Sequence, residues 1–138
     1  MRLSVVAGLV LAILALGGWS SASAQDKVSR FQGAWLAGGP DCATVFSSGA
    51  KGTTFKKPVD LFAPAFIISG SRLRTPQASC RIKSVRPSGD RQLMILDCAN
   101  SIAGNEVRVL IASRPDGSLR RYFDEQDTVG TTYLRCSP

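Results

Sequence analysis

Ser79-Cys80-Arg81-Ile82-Lys83-Ser84-Val85 and Gln92-Leu93-Met94-Ile95-Leu96-Asp97-Cys98, joined through Pro87-Ser88-Gly89-Asp90, decide the fold. The joining cluster is a turn signal and its flanks are β-prone, so the stretch predicts a hairpin. Centring the hairpin on Gly89 sets Cys80 opposite Cys98, Ile82 opposite Leu96 and Arg81 opposite Asp97. Strand side chains alternate with period 2. One face therefore carries sulfur and apolar groups, and the other an opposite-charge pair. Two agreements from one register predict a Cys80–Cys98 disulfide, given a suitable Cα spacing.

Outward from the hairpin the pattern repeats. Short strands are expected at 31–36, 42–46, 53–57, 65–69, 72–75 and 131–136, separated by Gly-, Pro- and Ser-rich turns. A second hairpin, 106–113 with 118–124, turns at Pro115-Asp116-Gly117, and two registers fit its alternation equally well. No segment after residue 24 shows helical periodicity. The expectation is all-β: a small antiparallel barrel or sandwich of about eight short strands, stapled by disulfides. One domain spans 31–138, preceded by a flexible terminus at 25–30.

Residues 1–24 read as a cleaved signal peptide. Arg2 precedes a run from Leu3 to Leu16 in which Ser4 is the only polar residue, and Ala22-Ser23-Ala24 is a small-residue cleavage pattern. The run is short of the ~20 apolar residues of a membrane span. Removing these 24 of 138 residues, Arg2 among them, leaves 114 residues and lowers the formal charge from +7 to +6. Periplasmic or secreted localisation follows, without a transmembrane span.

The 4 Cys all lie beyond the leader, and an even count in an exported chain predicts disulfides. With Cys80 joined to Cys98, elimination pairs Cys42 with Cys136 and ties an early strand to the last. No Cys-x-x-Cys is present, so thiol redox catalysis and thiolate metal sites are disfavoured. The chain has 0 His. That excludes a Ser-His-Asp triad, a Cys-His pair and any His-ligated metal.

Three groups of residues bear chemistry. Ser48-Gly49-Ala50-Lys51 matches the Ser-x-x-Lys of penicillin-recognising enzymes, but that chemistry needs a helix start and partner motifs that are missing here. Asp124, Glu125 and Asp127 form an acidic cluster at a strand exit, read as a solvated loop. Arg72, Arg74, Arg81 and Lys83 share the outer faces of neighbouring strands, with Asp97 as partial compensation. They are the candidate surface for an anionic partner, either an envelope protein or an anionic glycolipid. Nucleic acid is not expected, because no aromatic-interleaved basic motif appears.

Gly33-Ala34-Trp35 resembles the first-strand signature of lipocalin-like barrels. The resemblance implies that Trp35 closes one end of the barrel beneath Arg135 of the last strand. The same triplet, followed by Cys42, is similar to small exported barrels that inhibit bacterial metalloproteases, although their second Cys lies nearer in sequence. The runs 62–68 and 75–82, with Thr132-Tyr133-Leu134-Arg135-Cys136, resemble short exported bacterial proteins of unassigned function.

The expected role is therefore a non-enzymatic binding or inhibitor-like module without a cofactor. A carrier of a small apolar ligand inside the barrel is the alternative, and a Ser48/Lys51 hydrolase comes third. The sequence sets no oligomeric state.

Overall fold

The structure, a computed structural model, describes residues 27–136; the signal-peptide assignment lies outside them. Eight strands close into an antiparallel barrel: β1 (Gly33–Ala37), β4 (Ala65–Ser69), β5 (Arg72–Arg74), β6 (Ser79–Ser88), β7 (Arg91–Ala99), β8 (Gly104–Ser113), β9 (Leu119–Tyr122) and β10 (Thr131–Arg135). β1 pairs with β10 on one side and β4 on the other, which shuts the sheet. Closure leaves this sheet without a free edge strand. The barrel alternative is the one realised, not the sandwich.

The register of the β6–β7 hairpin is the one the sequence dictates, with Cys80 against Cys98, Arg81 against Asp97 and Ile82 against Leu96. Beyond Ile82 the pairing slips by one residue at Lys83, and Ser84 faces Ile95. This bulge moves the turn from Gly89 alone to Gly89-Asp90, with Ser88 opposite Arg91. Gly89 has φ 62°, the positive value that the first position of a tight hairpin turn demands. The ambiguous second hairpin settles with Ser113 opposite Leu119. Its turn is held by Asp116, which accepts from the Ser118 backbone N–H at 3.0 Å and the Ser118 hydroxyl at 2.6 Å.

Between β1 and β4 the chain makes an excursion of one helical turn, α1 (Cys42–Val45), and the hairpin β2 (Phe46–Gly49) with β3 (Gly52–Phe55). The strand expected at 42–46 is thus a helical turn, with strand geometry only from Phe46. Thr44, Val45 and Phe46 favour strands by propensity, but the Asp41 carbonyl accepts from the Thr44 N–H at 3.0 Å and its hydroxyl at 2.7 Å. Four residues are too few for a 3.6-residue period to register.

This excursion covers the outside of the barrel. Val45, Phe46 and Phe55 pack on Ala34, Leu36, Ala65 and Ile67, the outward-facing residues of β1 and β4. These two strands are therefore buried on both faces. Their runs Ala34-Trp35-Leu36-Ala37 and Ala65-Phe66-Ile67-Ile68 are accordingly continuous rather than alternating. The Cys42–Cys136 disulfide, Cα–Cα 5.5 Å, clips the excursion to the end of β10. The Cys80–Cys98 disulfide joins the neighbouring strands β6 and β7.

The inner core gathers Trp35, Ile68, Leu73, Cys80, Ile82, Met94, Leu96, Cys98, Ile111, Leu119 and Tyr133, joined by Val28 and Phe31 from before β1. Residues 27–30, expected as part of a loose terminus, instead lead into a 3-10 turn at Ser29–Phe31 and bury Val28. That single apolar residue in a polar stretch is what anchors it.

Candidate functional site

The barrel has two unlike ends. In an antiparallel closed sheet, successive connections alternate between them. The β4–β5, β6–β7 and β8–β9 turns share one end with the segment that enters β1. The β1–β4, β5–β6, β7–β8 and β9–β10 connections share the other.

The first end is plugged. Phe31 and Val28 enter the inner core from the 3-10 turn. Trp35 is buried beneath them and donates its Nε1–H to the Phe31 carbonyl at 2.9 Å. The Arg135 guanidinium lies 4.3 Å from the Trp35 ring centroid, a cation–π distance, and also donates to the Gln32 carbonyl. Gln32 in turn binds both backbone groups of Gly70 in the β4–β5 turn, at 2.8 and 2.9 Å. The Gly-x-Trp triplet acquires a physical reason. Gly33 has φ 119°, and a Cβ there would sit 2.7 Å from Arg135 Nη1.

The second end opens into a cavity of about 540 Å³. Its walls are Phe66, Ile68, Leu73, Met94, Leu96, Val107, Val109, Ile111 and Tyr133, together with the Cys80–Cys98 disulfide. Near the rim it is lined by Leu61, Phe62, Pro64, Gln77, Asn100 and Asn105. Phe62 is 88% exposed and yet lines the cavity, so the space reaches solvent there. Of the large hydrophobic residues exposed among those described, Leu61, Phe62, Ile102, Phe123 and Val129 all lie on connections at this open end; only Leu134 does not. Of these, Leu61 and Phe62 line the cavity.

Arg121 is the one charged residue among those described that lines the cavity. It sits near the open end of β9, opposite Ile111 and Thr131. It follows Leu119 on the inward face, while Arg120 and Tyr122 face out. Sequence reasoning held an interior ligand only as the alternative, named none of the cavity's lining residues as a ligand site, and missed Arg121. The signal was available in Arg120-Arg121, since two adjacent arginines on a strand point to opposite faces and one must turn inward.

The basic residues singled out from the sequence do come together. Arg72 stands opposite Arg81, Arg81 opposite Asp97, and Asp97 opposite Glu106, a row crossing β5, β6, β7 and β8 on the outer wall. Two of the four cations have acidic partners. Arg81 reaches Asp97 at 3.7 Å, and Lys83 reaches Glu106 at 2.9 Å and draws its carboxyl below the usual range. Arg72 donates to the Ser79 hydroxyl at 2.9 Å, and Arg74 to the Thr53 carbonyl at 3.5 Å. The row itself is balanced, and the wall gains a positive excess only from Arg74 and Lys83 beside it.

Ser48 lies on β2 and Lys51 in the β2–β3 turn, both exposed; Ser48 pairs with Thr53 in strand geometry rather than opening a helix. The acidic cluster builds its own loop. Asp127 accepts from the backbone N–H groups of Phe123, Val129 and Gly130, which hold its carboxyl below the ordinary range. Asp124 accepts from those of Gln126 and Asp127. Arg91 straps this loop to the wall. It donates to the Asp124 carbonyl at 3.0 Å and the Asp127 carbonyl at 2.5 Å, with its guanidinium 3.6 Å from the Tyr122 ring centroid.

Both disulfides are formed and no cysteine is free among the described residues, the pattern of an oxidising compartment. No helix among the described residues is long and apolar enough to cross a membrane. Comparison with protein-family models, curated proteins and solved structures finds no match for this chain.

Proposed function

We propose that this protein is a non-enzymatic, exported carrier of a small apolar ligand, held inside the barrel. The observation that carries the reading is the apolar cavity of about 540 Å³, plugged at the Trp35 end and reaching the surface at the Phe62 end. Eight-stranded barrels are narrow enough for side chains to fill them or for one small ligand to replace that filling. The volume falls within the ~300–1,000 Å³ typical of small-molecule sites. Release from water supplies about 25 cal/mol per Å² of apolar surface buried, and the rigid, disulfide-braced wall limits the ordering cost of binding. Residence in the periplasm or outside the cell belongs to this reading. It rests on the leader pattern at 1–24 together with the two disulfides.

The outer basic wall supports an anionic envelope partner less well, because Asp97 and Glu106 offset half of its charge. The carrier reading is tested with the uncharged fluorescent probe N-phenyl-1-naphthylamine. We expect saturable, one-site fluorescence enhancement, weakened at least about tenfold in Val107→Phe/Val109→Phe, which sets two rings into the cavity. Equal enhancement in the folded double variant sinks the reading, since the probe would then be binding elsewhere.

A further inference from the structure

The cavity is apolar throughout its depth but carries one cation at its rim. Arg121 lines it, and its side chain forms no hydrogen bond or ion pair among the described residues. None of the acids in the nearby 124–127 loop, Glu125 included, forms an ion pair with Arg121 among the described residues. Asp127 spends both carboxylate oxygens on backbone N–H groups and Asp124 binds two more. Tyr133 is the polar group beside Arg121 on the inner face. Thr131 is Arg121's direct partner and Leu119 is Tyr133's, so Tyr133 and Arg121 are diagonal neighbours on the inner face. The Tyr133 ring packs on Phe66 at 5.0 Å between centroids, and its hydroxyl makes no hydrogen bond to the described residues.

We propose that the ligand is a single-chain amphiphile with an anionic head group. Its tail lies in the cavity against Met94, Leu96 and Val107. Its head stays at the rim on the Arg121 guanidinium, with the Tyr133 hydroxyl as a second donor. This deepens the carrier reading and rests on it. An arginine facing an apolar cavity without a partner protein group is the arrangement that a carboxylate or phosphate completes, because its planar fork matches two oxygens at once. An uncharged hydrocarbon would leave that guanidinium with water alone. A cationic amphiphile would be repelled.

The test is displacement of N-phenyl-1-naphthylamine from the purified protein by dodecanoate, dodecyl phosphate, dodecanol and dodecyltrimethylammonium. These share a tail and differ in the head. We expect at least one of the two anions to bind about tenfold or more tightly than dodecanol, with the ammonium compound weakest. Which anion binds tighter separates a fatty-acid source from a single-chain phosphate lipid. Arg121→Gln should bring the better anion to within about twofold of dodecanol and leave dodecanol unchanged; Arg121→Lys should restore part of the preference. The preference should also shrink in 0.5 M salt, since the rim is hydrated. If dodecanol binds as well as both anions, or if the preference survives Arg121→Gln, this inference is overturned while the carrier reading stands. If none of the four displaces the probe, both fall.

Discussion

Trp35 ties the 3-10 turn before β1 to β10: its indole donates to Phe31, lies under Arg135 and shares the core with Tyr133. Truncating a buried aromatic of this kind costs about 3–5 kcal/mol, so Trp35→Ala should remove a large share of the domain's net stability, read as a fall in the urea midpoint. Arg135→Met keeps the aliphatic cover but loses the cation–π contact and the donation to Gln32, and should cost about 1–2 kcal/mol. Because both residues act through one contact, the double variant should fall short of the sum; strict additivity in a double-mutant cycle would separate them. The Gly-x-Trp triplet was legible from the sequence as a resemblance. Its cause was not: Gly33 has φ 119°, and a Cβ there would push the guanidinium of Arg135, a neighbour 102 positions away, from its place over Trp35. Arg121 was legible only in part: the pair Arg120-Arg121 says that one arginine turns inward, not which. A charged residue beside another charged residue reads as surface, and only the hairpin register shows which of the two faces in.

The elements show where alternation suffices as a guide. β6 and β7 carry Cys80, Ile82, Leu96 and Cys98 on one face, so their register followed from counting residues. The bulge at Lys83 did not, because alternation on each side of a one-residue slip is individually intact. The 42–46 segment failed through length, since a single helical turn has no period. The 123–130 loop, read only as solvated acid, proves to be organised by Asp127. Its folded pKa lies below the unfolded value of about 3.9, because backbone N–H donors favour the charged form. The stabilisation is therefore complete above the unfolded pKa and is lost as pH falls through the folded one. Amide exchange at Phe123, Val129 and Gly130 should stay protected from pH 7 to about pH 5. Protection relative to intrinsic rates should then fall progressively below about pH 4, while core amides such as Met94 hold. Asp127→Asn should show the low protection already at neutral pH. Unchanged protection factors at these three amides in the variant would show that Arg91 alone holds the loop.

At the scale of the whole molecule, stability and hollowness oppose each other. Of the two staples, Cys42–Cys136 closes a 94-residue separation and Cys80–Cys98 one of 18. Loop-closure entropy assigns them about 4.5 and about 3 kcal/mol. Replacing the Cys42–Cys136 pair with Ser should therefore lower stability more than replacing Cys80–Cys98 with Ala, and should also free the excursion that covers β1 and β4. The reverse order would mean that the wall of the cavity, not chain topology, sets the cost. Side chains that face the cavity make fewer dispersion contacts with their neighbours than those of a packed core, and the closed, cross-linked sheet offsets part of that loss. A protein poised this way should gain stability from whatever fills the space. Val107→Phe/Val109→Phe, placed on half-buried wall positions, should raise stability by about 0.5–2 kcal/mol, as filling a void commonly does. In the unsubstituted protein a bound ligand should act in the same direction, adding about 2.7 kcal/mol at a hundredfold excess over its Kd. The two routes compete for one volume. Thermal melts with and without the displacing amphiphile should therefore show a large ligand-dependent rise in Tm for the natural sequence and little for the filled variant, whose unliganded Tm already lies higher. A filled variant that melts lower than the natural sequence, yet still rises by the same amount on adding ligand, would place the binding site outside the barrel.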